Sequence, residues 1–149
     1  MEIPCYKQKK NYTCAVCCLK MVLEYYGKEY EEIELEKMCR TTERGTIAKN
    51  VVDTAKRIGF WAAICEGDLE FIRACISSEM PVIVYLRTKY LPWWEYDAIH
   101  AVVVIGIDEN YIYLNESWTG SQVRCEISDF IDAWNELFNL MILIKPQKG

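Results

Sequence analysis

The sequence lacks a long apolar run and a block of basic residues. Its longest apolar stretch, residues 98–107, is interrupted by His100 and is far shorter than the ~20 residues that a spanning helix needs. A formal net charge of -5 with no long block of lysine or arginine argues against binding to nucleic acid or anionic lipid. Residues 1–10 carry charges and Pro4 where a signal peptide would be apolar. We therefore expect a cytoplasmic protein that does not bind nucleic acid or insert into a membrane.

Histidine is nearly absent and cysteine is abundant, since His100 is the only histidine beside eight cysteines. An even number of cysteines in a short secreted chain indicates a disulfide framework, but no secretory signal supports an oxidising compartment here. Most of the cysteines lie within apolar patterns, where a reduced cysteine packs as a small hydrophobic residue. Cys14 and Cys17 have CxxC spacing without the second pair that a closed zinc site needs. We predict free thiols and no metal or organic cofactor.

Length and composition suit one domain with a continuous core, because 52% of the 149 residues are hydrophobic and 26% are charged. Apolar residues at helical spacing and β-branched runs predict the elements, and Gly27 and Gly59 follow two helices as stop signals. Predicted helices cover residues 14–26, 31–39, 47–58, 68–76 and 128–138, and predicted strands cover 60–64, 81–86, 99–107, 111–115, 122–126 and 140–144. Three helices first and a mostly antiparallel sheet afterwards indicate an α+β fold, with residues 1–149 as a single domain.

A cysteine and a histidine form the first candidate site. Cys14 lies at the predicted start of the first helix, where the helix dipole and free N–H groups favour a thiolate. A thiolate nucleophile needs an imidazole to take its proton, and His100 is the only one in the chain. The alternative is structural, with a buried cysteine and a core histidine bonded to a carbonyl group.

The turn of the predicted hairpin sets the register around His100. Residues 108–110 read as a three-residue turn, in which Asn110 can adopt the left-handed conformation that such turns require. In that register Ile107 pairs with Tyr111, and even-numbered side chains of both strands share one face.

Counting outward from this turn selects the residue that orients His100. His100 and Glu116 become diagonal neighbours on one face, about 7–8 Å apart and within reach of a long side chain. A slip of one residue would place Asn115 or Ser117 on that face instead. The register therefore decides between Glu116 and Asn115 as the orienting residue.

Polar and aromatic residues near these positions complete the candidates. Gln8 lies six residues before Cys14, where its amide could donate to a developing oxyanion together with a backbone N–H group at the helix start. A solvated surface glutamine is the alternative. Trp93 and Trp94 precede the strand of His100 and either line a peptide-binding groove or cover the core.

The chain resembles the double-glycine leader peptidases, the papain-like cysteine protease domains of bacteriocin-exporting ABC transporters and their stand-alone relatives. The resemblance begins with residues 8–27, which contain Gln8, Cys14 and Gly27 in the order that this family has. It continues through Arg44-Gly45-Thr46, Ala55 followed by Gly59-Phe60, residues 80–84, residues 100–108, and Ser128-Asp129-Phe130 ahead of Trp134. It covers nearly the whole chain and implies a papain-like fold, with helices packed on a mostly antiparallel sheet.

By this resemblance the catalytic roles fall on four residues. Cys14 is the implied nucleophile, His100 the base, Glu116 the residue that orients His100, and Gln8 the support of the oxyanion. The sequence departs from the family pattern at Ala15, where glycine is usual after the nucleophile. It departs again at Asn115-Glu116-Ser117, where the family has Asn-Asp-Pro, so that a longer carboxylate must fold back to meet the imidazole.

We predict a cysteine peptidase that hydrolyses peptide bonds through an acyl-enzyme. The resemblance further implies the leader segment of a small secreted peptide as the substrate, cleaved after Gly-Gly. It also implies a membrane transporter as partner, encoded separately if the chain stands alone. Two alternatives stay open: a transpeptidase that passes the same acyl group to an amine or thiol, and a non-catalytic peptide-binding module that lost turnover through Ala15 and Glu116.

Overall fold

The computed structural model describes residues 1–147. Its helices are α1 (Cys14–Tyr25), α2 (Glu32–Met38), α3 (Ala48–Ile58), α4 (Leu69–Ser77) and α5 (Ile127–Asn135). Its strands are β1 (Phe60–Glu66), β2 (Val82–Arg87), β3 (Ile99–Ile107), β4 (Tyr111–Glu116), β5 (Ser121–Glu126) and β6 (Leu140–Pro146). No helix among the described residues is long and apolar enough to cross a membrane. Every predicted element is present, so the α+β prediction is confirmed.

The six strands form one antiparallel sheet in the order β1-β6-β2-β3-β4-β5. One face packs on a core built with α1, α2 and α3, and the other packs on a core that includes residues of α4 and α5. Strand β3 contributes to both, because Ala101 and Val103 face the first core while Val102 and Val104 face the second. This double burial explains why β3 is apolar on both faces rather than alternating.

The last helix is shorter than predicted and one short element was missed. Helix α5 ends at Asn135, because Phe138 and Asn139 adopt φ angles of 60° and 53° in the left-handed region that a helix cannot continue through. The Trp134 carbonyl accepts the N–H group of Asn139 at 3.2 Å and closes the turn. A single 3₁₀ turn at Thr88–Tyr90 follows β2, and nothing in the sequence pattern had predicted it.

The turn between β3 and β4 is one residue shorter than predicted. The Asp108 N–H group donates to the Tyr111 carbonyl at 2.9 Å, so these two residues face each other and only residues 109 and 110 remain in the turn. Ile107 therefore pairs with Ile112 rather than with Tyr111. The Asp108 carboxylate accepts the N–H groups of Asn110 and Tyr111 at 2.9 and 2.7 Å and so closes the turn. The prediction of a left-handed Asn110 is wrong, because this side-chain cap replaces the conformation that it required.

A β-bulge in β3 restores the predicted register farther from the turn. Gly106 pairs with Tyr113, whereas Val104 pairs with Leu114, so Ile105 is the extra residue between these two pairs. This one-residue shift cancels the one-residue difference in the turn. The strands therefore reach their open end in the register that places even-numbered side chains on one face.

The segment before α1 packs against the turn that joins β4 and β5. The Gln8 N–H group donates to the Ser117 carbonyl at 2.8 Å. Gly120 lies in this turn with φ +74°, and a Cβ atom there would stand 2.8 Å from Lys7 Cβ and 3.2 Å from the Lys7 backbone nitrogen. A side chain at Gly120 would therefore push away the backbone that carries Gln8.

We predict that Gly120→Ala destabilises the protein more than Gly27→Ala does. Gly27 also has a left-handed φ, +89°, but a Cβ atom there would meet nothing within 4 Å. Gly27→Ala should therefore cost about 1 kcal/mol for the backbone conformation alone, and Gly120→Ala about 3 kcal/mol, because the Lys7 backbone must also move. Urea unfolding of both variants measures the difference. Equal losses would contradict the close packing of Lys7 on this turn.

Candidate active site

Cys14 is the first residue of α1, and the burial of this helix fixes its position. Val16, Leu19 and Leu23 of α1 are fully buried against the sheet, whereas Cys14 is only partly buried. The side chain of His100 and the backbone N–H groups of Ala101 and Ala15 lie close enough to the thiol to lower its pKa. The buried residues of α1 thus fix the Cys14 thiol at the less buried, N-terminal end of this helix.

His100 and Glu116 form a buried pair at the open end of the β3–β4 hairpin. His100 Nε2 is hydrogen-bonded to Glu116 Oε1, and both side chains are almost completely inaccessible to solvent. The same carboxylate oxygen accepts the Trp118 N–H group at 2.9 Å. Because Nε2 is engaged by Glu116, Nδ1 is the ring nitrogen left to exchange a proton with Cys14.

Glu116, and not Asn115, contacts His100 in the structure. The Asn115 amide nitrogen donates instead to the carbonyl groups of Ile3 and Pro4, both at 3.1 Å. Successive residues of a strand face opposite sides of the sheet, so Asn115 cannot share the face of Glu116. Asn115 as the orienting residue is therefore ruled out, and its side chain instead binds the N-terminal segment.

Trp93 and Trp94 both bind the Glu116 carboxylate. Their indole Nε1–H groups donate to Glu116 Oε2 at 3.0 and 3.1 Å. The Trp94 ring also stacks on Trp118, with centroids 4.8 Å apart, and lies 4.7 Å from the His100 ring. The sequence does not predict this contact with the carboxylate, because loop residues have no strand register from which their neighbours could be deduced.

Gln8 is buried and is fixed by the residue that follows Glu116. Its Oε1 atom accepts the Ser117 hydroxyl at 2.8 Å, and its Nε2 atom donates to the Lys10 carbonyl at 2.8 Å. One N–H bond of the amide remains for another acceptor. Ser117 was a register alternative for contact with His100, but its hydroxyl orients Gln8 instead.

The thiol, the imidazole and the carboxylate have shifted pKa values that favour charge at all three. Burial alone would raise the pKa of Cys14, but the hydrogen bond and positive charge of His100 hold it below its ordinary value. Burial alone would lower the pKa of His100, but Cys14 and Glu116 raise it to about 9. Burial alone would raise the pKa of Glu116. His100, the backbone N–H group of Trp118 and the indole N–H group of Trp93 nevertheless hold this pKa below the usual range.

The other seven cysteines behave differently from Cys14. Burial raises the pKa of each of them. Cys17 lies one helical turn from Cys14, but the charge of Glu32 raises its pKa further. Within residues 1–147 no group of three histidine, cysteine or acidic side chains is arranged to hold a metal ion. Cys14 is therefore the one cysteine whose pKa lies below the ordinary value, and a lowered pKa is the property that a nucleophilic thiol needs.

Solved structures of C39 peptidase domains and of a papain-like cysteine protease share the fold of this chain. The peptidase domain of Streptococcus ComA, a bi-functional ABC transporter involved in quorum sensing, superposes with a TM-score of 0.82 at 22% identity, covering 98% of this chain and 100% of that domain. A double glycine motif protease from an AMS/PCAT transporter, in complex with its leader peptide, gives 0.79 at 23% identity over 98% and 93%. The cysteine protease CMS1MS2 of Carica candamarcensis gives 0.71 at 13% identity over 97% and 93%.

The sequence profile of the peptidase C39 family matches residues 2–149, so the chain belongs to this family of cysteine peptidases. A curated relative is the pediocin PA-1 transport/processing ATP-binding protein PedD of Pediococcus acidilactici, which is 28% identical over 135 residues. These residues are 89% of this chain and 17% of the relative, so the chain spans less than a fifth of that protein.

We predict that removing the indole donors impairs turnover rather than substrate binding. Trp93→Phe with Trp94→Phe should lower kcat about tenfold or more, because each hydrogen bond to a buried charge contributes about 1.5–3 kcal/mol, and should change KM by less than about twofold. The pKa of Glu116 should rise, so the acid limb of the pH–rate profile should move to higher pH.

Trp61→Phe is the matched control, because Trp61 lies on β1, remote from β4 in the sheet order, and is 42% exposed. If the double variant instead raised KM and left kcat and the pH profile unchanged, the prediction would be wrong. Trp93 and Trp94 would then line a peptide-binding groove, which is one of the two alternatives that the sequence left open.

Proposed function

We propose that this peptidase cleaves leader peptides after a double glycine through the thiolate of Cys14. The observation that supports this most directly is the lowered pKa of Cys14 beside the buried His100–Glu116 pair. A binding module without turnover has no reason to keep such a thiol. The match of the C39 family to almost the whole chain sets the class of chemistry.

Acylation follows from the positions of these side chains. The Cys14 thiolate attacks the carbonyl carbon of the scissile bond, and the electrons of the C=O bond move to the oxygen. The free N–H bond of Gln8, with a backbone N–H group at the start of α1, donates to that oxyanion. Protonated His100 then gives its Nδ1 proton to the leaving amine, and the C–N bond breaks to leave a thioester on Cys14.

Deacylation uses the same groups in reverse. Neutral His100 takes a proton from water, and the resulting hydroxide attacks the thioester carbon. Collapse of the second oxyanion breaks the C–S bond, releases the leader as a carboxylic acid that loses its proton to solvent, and restores the Cys14 thiolate beside protonated His100. Glu116 accepts from Nε2 throughout, which keeps Nδ1 directed at the reacting atoms.

The relatives supply the substrate class. The double glycine motif protease was solved with a leader peptide, and PedD is a transport/processing protein. We extend leader cleavage, and partnership with a membrane transporter, to this chain on that ground. We further propose that residues 1–149 are one peptidase domain, and that it works in the cytoplasm, where its cysteines would stay reduced.

We predict selective alkylation of Cys14 by iodoacetamide between the lowered pKa of Cys14 and the His100 pKa of about 9. The thiolate exists in this range because His100 is still protonated, and it should react well below pH ~8.5, the pKa of a free thiol. Mass spectrometry assigns the modified cysteine. In His100→Ala the reactivity of Cys14 should move to higher pH. Equal labelling of several cysteines in the wild type would contradict an activated nucleophile.

We also predict hydrolysis of a synthetic peptide that carries a leader segment ending in Gly-Gly. Cys14→Ser and His100→Ala should abolish cleavage, and valine in place of the last glycine should lower kcat/KM about 100-fold. Mass spectrometry of the products separates a free leader acid from a leader transferred to an added amine, which distinguishes hydrolysis from transpeptidation. Cleavage that survives in Cys14→Ser would disprove the mechanism.

A further inference from the structure

A cavity of about 350 Å³ opens beside the oxyanion residue, and basic side chains surround it. It is lined by Lys7, Gln8, Lys9, Lys10, Asn11 and Trp118. Lysine supplies half of these residues and no carboxylate lines the cavity, although the chain as a whole carries 22 acidic and 17 basic residues. The local charge of this cavity is thus opposite to the net charge of the protein.

Two of the three lysines form no ion pair. Lys10 Nζ pairs with Glu36 Oε1 at 2.9 Å, so its charge is compensated. Lys7 and Lys9 form no ion pair with any residue among 1–147. Both line the cavity and are exposed, so they can bind an anionic group of a substrate. Lys9 also borders a second cavity, which contains Glu24, Glu29, Glu31 and Glu34, so Lys7 is the lysine farther from acidic side chains.

The backbone that carries these lysines is held on both sides. The Lys9 N–H group donates to the buried Glu32 carboxylate at 3.0 Å, and the Gln8 N–H group donates to the Ser117 carbonyl at 2.8 Å. Lys7 packs directly on Gly120. An anion bound here would therefore meet lysines whose backbone is already ordered, which lowers the entropic cost of binding.

The cavity lies on the side of the site from which the leaving group departs. His100 must protonate the leaving amine, so the peptide after the scissile bond lies on the His100 side of Cys14. Trp118 lies on this side of the site, because its ring stacks on the Trp94 ring, whose centroid is 4.7 Å from that of the His100 ring. A cavity between Trp118 and Gln8 therefore receives the residues that follow the scissile bond.

We propose that Lys7 and Lys9 select substrates with an acidic side chain within the first three residues after the cleavage site. The inference rests on the proposed function and adds a preference on the side of the released peptide. A substrate carboxylate there would enter a cavity whose own lining contains three lysines and no acidic residue. Exposed ion pairs contribute up to about 1 kcal/mol, so each favourable contact should raise kcat/KM about threefold to fivefold.

Three peptides test this preference, identical except for glutamate, glutamine or lysine at the second position after Gly-Gly. The expected order of kcat/KM is Glu, then Gln, then Lys, with the largest difference at low salt. Raising the salt from about 0.02 M to about 0.5 M should reduce the ratio of Glu to Gln toward one, because salt screens exposed charges. Equal rates for the three peptides at low salt would overturn the preference while leaving leader cleavage intact.

Charge reversal assigns the preference to the two lysines. Lys7→Glu with Lys9→Glu should invert the order of the three peptides, and Lys7→Met with Lys9→Met should remove the order while keeping the apolar side-chain stems. Ratios of kcat/KM within one variant cancel any loss of overall activity. Lys145→Glu on β6, toward the other edge of the sheet, should leave the order unchanged.

Two outcomes separate this inference from the proposed function. If the order of kcat/KM for the three peptides is unchanged in Lys7→Glu with Lys9→Glu, these lysines do not determine the preference for a substrate charge. That result would overturn the inference alone. Failure of the wild type to cleave any of the three peptides would overturn the proposed function and the inference with it.

Discussion

The Glu116 carboxylate is completely buried, and a buried charge is tolerated only when hydrogen bonds and an opposite charge replace the water that it lost. Four donors do so: His100 and the Trp118 N–H group bind one oxygen, while Trp93 and Trp94 bind the other. The carboxylate in turn raises the pKa of His100, and His100 lowers the pKa of Cys14. The ease with which the thiol ionises thus depends on how completely the Glu116 carboxylate is hydrogen-bonded.

The segment of residues 115–117 links Glu116 to Gln8. Glu116 orients His100 from one side, and the next residue, Ser117, binds both the backbone and the side chain of Gln8. Asn115, one residue earlier, binds the N-terminal segment through Ile3. Three consecutive residues therefore set the relative positions of His100 and Gln8, the base and the oxyanion donor of the proposed mechanism, so a shift of this strand end would displace both.

Periodicity predicted the elements well, because each helix and strand buries one face or both. The predicted contact between His100 and Glu116 exists, but it depends on two departures that cancel: a shorter turn capped by Asp108 and a bulge at Ile105. Neither has a strong sequence signal. The binding of Trp93 to the carboxylate was missed for a different reason, since the position of a loop indole is decided by tertiary packing and not by local pattern.

Trp93 and Trp94 restrain a side chain that is one methylene longer than the aspartate of the family pattern. The extra methylene gives the carboxylate of Glu116 more rotamers, and an unrestrained glutamate would lose contact with His100 part of the time. Indole donors on Oε2 oppose His100 on Oε1, so the planar group is held from both edges. The longer side chain and the aromatic donors therefore form one unit, and a shorter aspartate placed among the same indoles would reach His100 or the tryptophans but not both.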